Sequence, residues 1–395
     1  MNRIYVSEKC TACGACVQKC PHDAIEYKED SFGFLYPEIN EKCANCGACV
    51  RVCPIDKAYP ETKPSVYAAV NTNIDRLMKS SSGGVFSALA EYVLSTGGVV
   101  YGASFDKDFR VTHIRVSELS ELVRLQGSKY VQSNTENTFS EAKRDLNEGI
   151  TVLYSGTPCQ IAGLNGFLGK TYDNLITVDL ICHGVPNQRF FSQYLEWLSK
   201  KQKGKITEFS FRDKEAKGWT SAGSVRIETG KSSKKKVLWP AFNYYQYYNF
   251  LSGGICRKSC YECAYAGMRR PGDYTIGDFW GAEKYLPGIK NLGKRGCSVV
   301  LCNSQKAEAL IKKVTLDLKE ITLSQAQSEN GQLREPAKSN LRNDTLLDAS
   351  DFNTAERYFK QHKKHLYKAY VKMLMPTQLK LAIKRAVYRA RGGTS

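Results

Sequence analysis

The sequence lacks any long hydrophobic run. No stretch reaches about 18 consecutive apolar residues, so no membrane-spanning helix is expected. A secretory leader is not expected either, because Met1–Val6 mixes polar and apolar residues and runs directly into a cysteine-rich loop. The G-x-G-x-x-G fingerprint of dinucleotide sites is also missing. These absences argue against a membrane-spanning protein, a secreted protein and a Rossmann-type NAD enzyme.

Negative charge is scarce as well. The 395 residues carry 57 Lys and Arg against 39 Asp and Glu, a net charge of +18. More than half of the excess lies between Glu356 and Ser395, where eleven basic residues face one acidic residue. Apolar residues recur at helical spacing on both sides of Pro376, which predicts a basic amphipathic helical tail at 351–395. The tail predicts an acidic partner, such as an anionic membrane surface that would hold the protein at the inner face of the membrane. A solvated charged end is the alternative.

Cysteine, in contrast, is abundant, with 15 residues in the chain. Two near-copies of one pattern open the sequence, CTACGACVQKCP from Cys10 and CANCGACVRVCP from Cys43. Each has the form C-x2-C-x2-C-x3-C-P, the ligand spacing of bacterial ferredoxins, in which the fourth cysteine serves the cluster of the other repeat. The pattern assigns Cys10, Cys13, Cys16 and Cys53 to one [4Fe–4S] cluster, and Cys20, Cys43, Cys46 and Cys49 to a second.

Zinc knuckles and disulfides are the alternatives for these repeats. Zinc sites usually show paired C-x2-C motifs without the third cysteine and the trailing Cys-Pro, so the two-cluster interpretation is favoured. Cluster ligands must be thiolates, which points to the reducing cytoplasm of an organism with low-oxygen metabolism. The sequence therefore predicts a cytoplasmic protein that moves electrons.

The chain exceeds the usual size of one domain, so two or three units are expected. Residues 1–60 form the ferredoxin-type unit, and Tyr59–Pro64 reads as a linker. Strands and helices then alternate over 65–205, and a more β-rich region follows over 206–350. The predicted fold class is α+β: a two-cluster ferredoxin-like domain, a mixed α/β domain and a helical tail.

Several elements of the middle region have clear patterns. Helices are predicted at Val85–Leu94, Thr135–Asn147, Ile161–Leu168 and Gln188–Lys200. Strands are predicted at Gly98–Phe105, Val111–Val116, Thr151–Ser155, Leu175–Ile181, Ile206–Arg212 and Ser224–Glu228. The basic run Lys231–Lys236 is expected in a hairpin or loop.

A third cysteine group, Cys256, Cys260 and Cys263, again indicates metal. Cys182 and Cys159 are candidates for a fourth ligand because both follow a buried strand, where sites of α/β sheets usually lie. The alternative is that some of these cysteines are buried small apolar residues. Cys297 and Cys302, in an apolar strand, are assigned to the core.

Three loops could bind a phosphate-containing cofactor. Ser80–Gly84 and Gly156–Gln160 each lead into a predicted helix, whose positive end favours anions, and Lys129 lies in a third loop. Ordinary helix caps are the alternative for the first two. His183 could move a proton next to a redox centre, although a lone histidine after a strand is more often a structural donor.

The motifs SSGG, GSKYVQS, SGTPCQIAGL, DLICHGVP, C-x3-C-x2-C and IGDFWG occur in one order between Ser80 and Leu301. In this order the chain resembles the coenzyme F420 hydrogenase/dehydrogenase beta-subunit family. The resemblance implies an FAD-binding iron–sulfur oxidoreductase, with an α/β flavin-binding domain. It carries over Ser81, Ser82, Gly83, Gly84, Lys129, Gly156, Thr157, Pro158, Gln160, Asp278 and Trp280 as flavin-site positions, and Cys260 and Cys263 as candidate ligands of a third cluster. Cys182 and Cys256 are candidates for the same cluster from their positions in the sequence alone.

The predicted function is an oxidoreductase that passes electrons between [4Fe–4S] clusters, FAD and an organic acceptor or donor, such as a coenzyme F420-like deazaflavin or another metabolite. The expected partners are a redox protein or a ferredoxin, and a small-molecule substrate. One alternative is an electron-transfer subunit of a larger complex without substrate chemistry of its own. Another is an accessory redox protein of surface polysaccharide assembly. Nucleic-acid binding by the tail, which charge alone would permit, is the least economical choice.

Overall fold

The structure is a computed structural model that describes residues 6, 8–55, 57, 59–230, 232–238, 245, 254–286, 295–338, 344–347 and 352–361. Within these ranges, no helix is both long and apolar enough to cross a bilayer. Helix α12 (Phe352–Gln361) lies at the start of the predicted basic tail. The rest of that tail, 362–395, is outside the described residues.

The N-terminal unit is small and built around its cysteines. Strands β1 (Ile25–Glu29) and β2 (Leu35–Ile39) form an antiparallel hairpin. Two short helices, α1 (Ala15–Lys19) and α2 (Ala48–Val52), follow the two cysteine loops and pack against each other. Each helix begins after a glycine in the left-handed region, Gly14 with φ 94° and Gly47 with φ 73°. Glycine adopts this conformation without a Cβ penalty, so the two cysteine loops can turn tightly into their helices.

An eight-stranded mixed sheet forms the centre of the protein, in the order β13-β3-β12-β11-β7-β6-β4-β5. The four strands β11, β7, β6 and β4 run parallel, and the strands on both sides of them are antiparallel. The strands are β3 (Ser65–Asn71), β4 (Val99–Phe105), β5 (Val111–Val116), β6 (Val152–Gly156), β7 (Leu175–Leu180), β11 (Tyr274–Asp278), β12 (Ser298–Cys302) and β13 (Leu316–Glu320).

Helices cover both faces of this sheet and separate its core into layers. One layer packs α4 against β4, β6 and β12, and another packs α5 and α6 against β6 and the N-terminal unit. The helices are α3 (Ile74–Lys79), α4 (Val85–Ser95), α5 (Thr138–Asn147), α6 (Pro158–Leu168), α7 (Gln188–Gln202), α8 (Lys214–Lys217), α9 (Gln305–Ile311), α10 (Leu323–Glu329) and α11 (Asp344–Leu347).

A second, antiparallel sheet has the order β10-β9-β8, with β8 (Lys205–Ser210), β9 (Gly223–Thr229) and β10 (Ser232–Leu238). Its inner side joins an aromatic-rich core that contains Phe191, Tyr194, Phe209 and Phe211. The hairpin predicted for the basic run is confirmed, because β10 pairs with β9 and carries Lys234, Lys235 and Lys236.

The predicted α+β class is confirmed, and every helix and strand predicted between 85 and 228 is present within a few residues of its expected bounds. Strands β11, β12 and β13 follow residue 205 in the chain but join strands that precede it. The central sheet therefore extends across the expected boundary between 65–205 and 206–350, and the domain division stays a prediction.

Candidate redox site

The first cysteine set brings together cysteines of both repeats. Cys10, Cys13 and Cys16 are buried. Burial raises the pKa of the Cys16 thiol to about 12, and the neighbouring thiols of Cys10, Cys53 and Cys49 add to the rise. Cys16 thus lies beside Cys53 of the other repeat, as the exchange of the fourth ligand requires. The Ala12 amide donates to Cys10 Sγ at 3.5 Å, a contact of the kind that tunes cluster potentials.

The second set lies nearer to the solvent. Cys46 is exposed, Cys20 and Cys43 are half-buried, and Cys49 is buried against Cys16 and Ile25. The Ala24 amide donates to Cys20 Sγ at 3.3 Å. Among the described residues, no three His, Cys, Asp or Glu side chains converge on the position of a single metal ion. Each of the four thiolates of a [4Fe–4S] cluster binds a different iron. The ligands of such a cluster therefore surround it and do not converge on one metal position.

Helix α6 holds the N-terminal unit closely against the central sheet. A Cβ added at Gly163 would lie 2.8 Å from both Cβ and Sγ of Cys13, and one at Gly166 would lie 2.3 Å from the carbonyl oxygen of Val52. Only glycine allows this approach, because real Cβ atoms essentially never make such short contacts. The first cysteine set is therefore pressed directly against the helix that carries Cys159.

Arg257 joins the same two parts of the molecule and is 1% exposed. Its Nε donates to Gln132 Oε1 at 2.9 Å, its Nη1 to the carbonyl oxygen of Cys10 at 3.4 Å, and its Nη2 to that of Leu35 at 2.7 Å. The guanidinium also lies over the ring of Tyr36, 4.5 Å from its centroid. This one side chain connects the third cysteine segment, the first cysteine set and the hairpin.

The third cysteine group lines a cavity with two cysteines from other segments. Cys159, at the start of α6, and Cys182, after β7, face this cavity together with Cys260 and Cys263. Burial raises the pKa of the Cys159 thiol to about 11, and the nearby Cys263 thiol adds to the rise. The thiols of Cys260, Cys159 and Cys263 likewise add to the raised pKa of Cys182, after burial. Four half-buried thiols from three segments suit a metal centre that holds them as thiolates.

Cys256 does not lie where a ligand of the third cluster is expected. It is buried, and its Sγ faces the carbonyl oxygen of His183 at 3.9 Å, but it is not among the residues that line the cavity. A Cβ added at Gly184 would lie 2.7 Å from Cys256 Sγ. The geometry favours Cys159 over Cys256 as a member of this set, because α6 brings Cys159 to the cavity wall.

A larger cavity of about 480 Å³ lies next to the cysteine cavity, within the usual size of small-molecule sites. It is placed at the carboxyl ends of the parallel strands β6, β7 and β11, as is general for open α/β sheets. Most of the predicted flavin-site residues line it, namely Ser81, Ser82, Gly84, Lys129, Gly156, Thr157, Gln160, Asp278 and Trp280, and so does His183. Gly83 is not among the lining residues, and Pro158 lines the cysteine cavity instead.

The two cavities share their walls. The loop from β6 to α6 turns Thr157 toward the larger cavity and Cys159 toward the cysteine cavity. In the segment after β7, His183 lines the larger cavity and Cys182 lines the cysteine cavity. Val185, in the same segment, lines both cavities. A group bound in the larger cavity is therefore one layer of residues away from the third cysteine set.

The loop before α4 is fixed by neighbours on three sides. Ser82 Oγ donates to the carbonyl oxygen of Cys297 at 2.9 Å, and the Gly83 amide donates to Ser298 Oγ at 2.8 Å. A buried ammonium, that of Lys214, donates to the carbonyl oxygen of Ser82. The helix α4 begins after Gly84 without a side-chain cap, so these serines are not its N-cap. Their hydroxyls shape a cavity wall, which agrees with a binding loop.

The walls of the larger cavity carry two basic side chains, Lys129 and Arg212, and one carboxylate, Asp278. Burial lowers the pKa of Lys129 to about 7, and its Nζ donates to the carbonyl oxygens of Arg124 and Gln126 at 3.0 and 2.9 Å. The Arg212 side chain is 3% exposed, and its Nη1 donates to Asp278 Oδ2 at 2.5 Å. The guanidinium lies 5.0 Å from the ring centroid of Trp280. An arginine, a lysine and an aromatic wall suit a ligand with anionic and planar parts.

Two buried polar atoms in the cavity walls have no hydrogen-bond partner among the described residues, Arg212 Nη2 and Gln126 Oε1. Such atoms are costly unless a ligand or water satisfies them, so they agree with a polar ligand in this cavity. The side-chain amide of Gln160, in contrast, has hydrogen-bond partners at both its oxygen and its nitrogen. Its Oε1 accepts from the Thr157 amide at 3.0 Å and its Nε2 donates to the carbonyl oxygen of Ser133 at 2.9 Å, so its amide shapes the loop.

Two histidines line the larger cavity, and the pKa of each is lowered. Burial lowers the pKa of His113 to about 4, and its ring nitrogens contact Ser133 Oγ at 2.5 Å and the carbonyl oxygen of Ser155 at 2.9 Å. Burial also lowers the pKa of His183, against the opposing effect of the Asp278 carboxylate. His113 is held in place by its contacts, whereas His183 stands between the two cavities.

Sequence reasoning missed Arg212, Lys214 and Arg257. Arg212 and Lys214 follow the end of β8 without a recognisable motif, and only the folded chain brings Arg212 to Asp278 and Lys214 to the loop before α4. Arg257 does have a signal, because it lies inside the third cysteine group. A buried arginine there is a reasonable expectation, since thiolate-rich sites favour nearby positive charge.

Comparisons with known proteins identify two parts of the chain. Residues 150–329 match the family described as the C-terminal part of the beta subunit of coenzyme F420 hydrogenase/dehydrogenase, and residues 9–58 match the "4Fe-4S dicluster domain". No curated protein matches the chain. Among solved structures, a chain of the F420-reducing [NiFe] hydrogenase complex from Methanosarcina barkeri is similar at 15% identity and a TM-score of 0.45, covering 71% of this chain and 91% of that chain.

The eight N-terminal cysteines are thus those of a 4Fe–4S dicluster domain, as their spacing predicts. The two cavities are lined mainly by residues of the family match and of the loops packed against it. Residues 150–329 therefore carry a C-terminal domain of the coenzyme F420 hydrogenase/dehydrogenase beta-subunit family, and residues 9–58 carry a 4Fe–4S dicluster domain.

Proposed function

We propose that this protein is an iron–sulfur flavoprotein oxidoreductase that exchanges electrons between its clusters and an organic molecule bound at a flavin. One observation carries the proposal: the cysteine sets and the larger cavity form a continuous row. The exposed set at Cys46 adjoins the buried set at Cys13, α6 presses Cys13 toward Cys159, and the loop of Cys159 also forms a wall of the larger cavity.

Cys159, Cys182, Cys260 and Cys263 are the proposed ligands of a third [4Fe–4S] cluster. Bound FAD would supply the exchange between one-electron and two-electron chemistry. Lys129 and the loop of Ser81–Gly84 would hold the anionic part of the flavin.

The wall formed by Trp280 and Asp278 would hold its ring system. Trp280 stacks on Trp219, with ring centroids 4.5 Å apart, and Trp219 Nε1 donates to Asp278 Oδ1 at 2.8 Å. This contact and the ion pair with Arg212 use both oxygens of Asp278, so the carboxylate orients the wall. His183, neutral and at the cavity edge, is suited to accept a proton from the bound substrate.

The test is the composition of protein purified without oxygen. The intact protein should bind FAD, seen in its visible spectrum, and contain about twelve irons for three [4Fe–4S] clusters. Cys159→Ser should lower the iron content to about eight, whereas Cys256→Ser, the matched control, should leave it near twelve. Protein with full clusters that binds no FAD would contradict the flavin assignment, and equal iron loss in both variants would contradict the ligand set.

A second candidate is an electron-transfer subunit of a larger complex. The matched family is described as a beta subunit, which supports a redox partner protein. The two candidates differ in what the isolated chain can do. Reduction of a deazaflavin such as coenzyme F420 by the isolated, cluster-loaded protein would favour the enzyme, and its absence together with FAD binding would favour the subunit.

A further inference from the structure

Basic side chains gather on one side of the exposed cysteine set. Lys19 directly precedes Cys20, and Arg51 Nη1 donates to the carbonyl oxygen of Cys46 at 3.1 Å. Lys143, on α5, approaches them from the central domain: the Nζ atoms of Lys19 and Lys143 lie 5.0 and 6.0 Å from the ring centroid of Phe167. Three cations from three helices therefore meet beside one cluster site.

These cations have no acidic partners in the described part of the chain. No salt bridge there joins Lys19, Arg51, Lys57 or Lys143 to a carboxylate. Their donors reach backbone oxygens instead: Lys57 Nζ donates to the carbonyl oxygen of Arg51 at 2.7 Å, and Lys19 Nζ to that of Phe167 at 3.4 Å.

The same surface is where the cysteine sets come closest to solvent. Cys46 is exposed, and Val50, one turn along on α2, is 42% exposed. Cys10, Cys13 and Cys16 of the first set are buried, and the four cysteines that line the cysteine cavity are half-buried, so Cys46 is the most exposed cysteine of the three sets. Surfaces of this kind, with an apolar centre and a charged rim, are typical of short-lived protein contacts that are steered by charge.

We propose that the basic face, made of Lys19, Arg51, Lys57, Lys143 and Val50 around Cys46, docks an acidic one-electron carrier protein. An acidic surface on the carrier would pair with the uncompensated cations, and its redox centre would come next to the second cysteine set. The inference rests on the proposed function, because it takes the dicluster domain as the place where a partner exchanges electrons with the chain. Helix-end compensation by Lys19 and Arg51, each in the last turn of a short helix, is the structural alternative.

The test is the rate at which a reduced carrier reduces the oxidised, cluster-loaded protein. A plant-type ferredoxin, which is acidic, is the probe, and the visible absorbance of the [4Fe–4S] clusters is followed after rapid mixing. At low ionic strength, Arg51→Glu with Lys143→Glu should lower the second-order rate constant about tenfold or more. The rate of the unchanged protein should fall as salt rises, and that of the variant should depend little on salt.

The matched control changes charge equally at the far edge of the central sheet. Lys313→Glu with Lys319→Glu, next to and on the edge strand β13, should leave the rate nearly unchanged. Reduction by methyl viologen radical, a small cation, should not be slowed by the Arg51 and Lys143 changes, which shows that the clusters are intact. Equal slowing by both pairs, or no slowing by either, would overturn the proposal.

The outcome is independent of the flavin. The clusters report the reaction even in protein that binds no FAD, so failure of the flavin assignment would leave this test readable. If the Arg51 and Lys143 changes abolish binding to anionic phosphatidylserine vesicles but not the ferredoxin rate, the face serves a lipid surface and the proposal is wrong.

Discussion

Arg257→Met tests the attachment of the dicluster domain to the central domain. The change leaves three acceptors without their donor: Gln132 Oε1 and the carbonyl oxygens of Cys10 and Leu35. Each unsatisfied acceptor costs about 1–3 kcal/mol, and the lost contact with the Tyr36 ring about 1 kcal/mol. Removing a buried charge recovers several kcal/mol of desolvation, so a net loss of about 2–5 kcal/mol is expected.

The loss should appear where the two domains meet. Hydrogen–deuterium exchange of the amides around Cys10 and Leu35 should accelerate by roughly thirtyfold to several thousandfold, since 1.4 kcal/mol corresponds to tenfold. Burial raises the pKa of the Cys10 thiol, and the Arg257 guanidinium opposes that rise, so removing this positive charge should also make the potential of the adjacent cluster more negative.

Arg212→Met is the matched control, because its side chain is equally buried but lies at the larger cavity. It should leave exchange in the dicluster domain unchanged. If exchange around Cys10 is the same in Arg257→Met and in the unchanged protein, Arg257 does not hold the domains together and the reasoning fails.

Three further predictions rest on single contacts. Gly163→Ala gains about 1 kcal/mol of helix propensity but forces a Cβ to within 2.8 Å of Cys13, so a net loss of stability of about 1 kcal/mol is expected. A chelator should then bleach the clusters roughly five times faster than in the unchanged protein. Lys129 is charged below its pKa of about 7 and neutral above it, so the Kd for FAD should rise about tenfold from pH 6 to pH 8. Lys129→Arg, which stays charged, should remove this pH dependence. Asp179→Asn leaves Arg270, 2.5 Å away and fully buried, without its counter-charge, and urea denaturation should show a loss of about 3–5 kcal/mol.

Each of these three predictions has a control or a result that would contradict it. Gly331→Ala, where an added Cβ meets no atom within 4 Å, is the control for Gly163 and should leave bleaching unchanged. A pH-independent Kd for FAD would show that Lys129 does not contact the anionic part of the flavin. Urea midpoints that are equal for Asp179→Asn and the unchanged protein would show that Arg270 finds another partner.

Much of the site was accessible from local sequence because its chemistry is local. Three ligands of each N-terminal cluster lie within seven residues, so spacing alone predicts which cysteines act together. The strands that end at Gly156 and Leu180 are likewise short apolar runs followed by turns. Their carboxyl ends are where the larger cavity lies.

Local sequence does not show which cysteines come together in the third set. Cys256, Cys260 and Cys263 are neighbours in sequence, and proximity made Cys256 the natural third ligand. In the folded chain, Cys159 and Cys182 line one cavity with Cys260 and Cys263, because α6 packs beside β7. A choice between cysteines about a hundred residues apart depends on how the strands are ordered, and local spacing does not contain that order.

The sequence by itself determined the dicluster domain, the alternation of strands and helices, and the loops that could bind an anionic cofactor. These depend on short-range spacing and on hydrophobic period, which neighbouring residues fix. Only the tertiary structure decided that Arg212, Lys214 and Arg257 act at the site, and that the cysteine sets form a row toward the larger cavity. Burial makes these contacts strong, and burial is a property of the packed chain rather than of any segment of it.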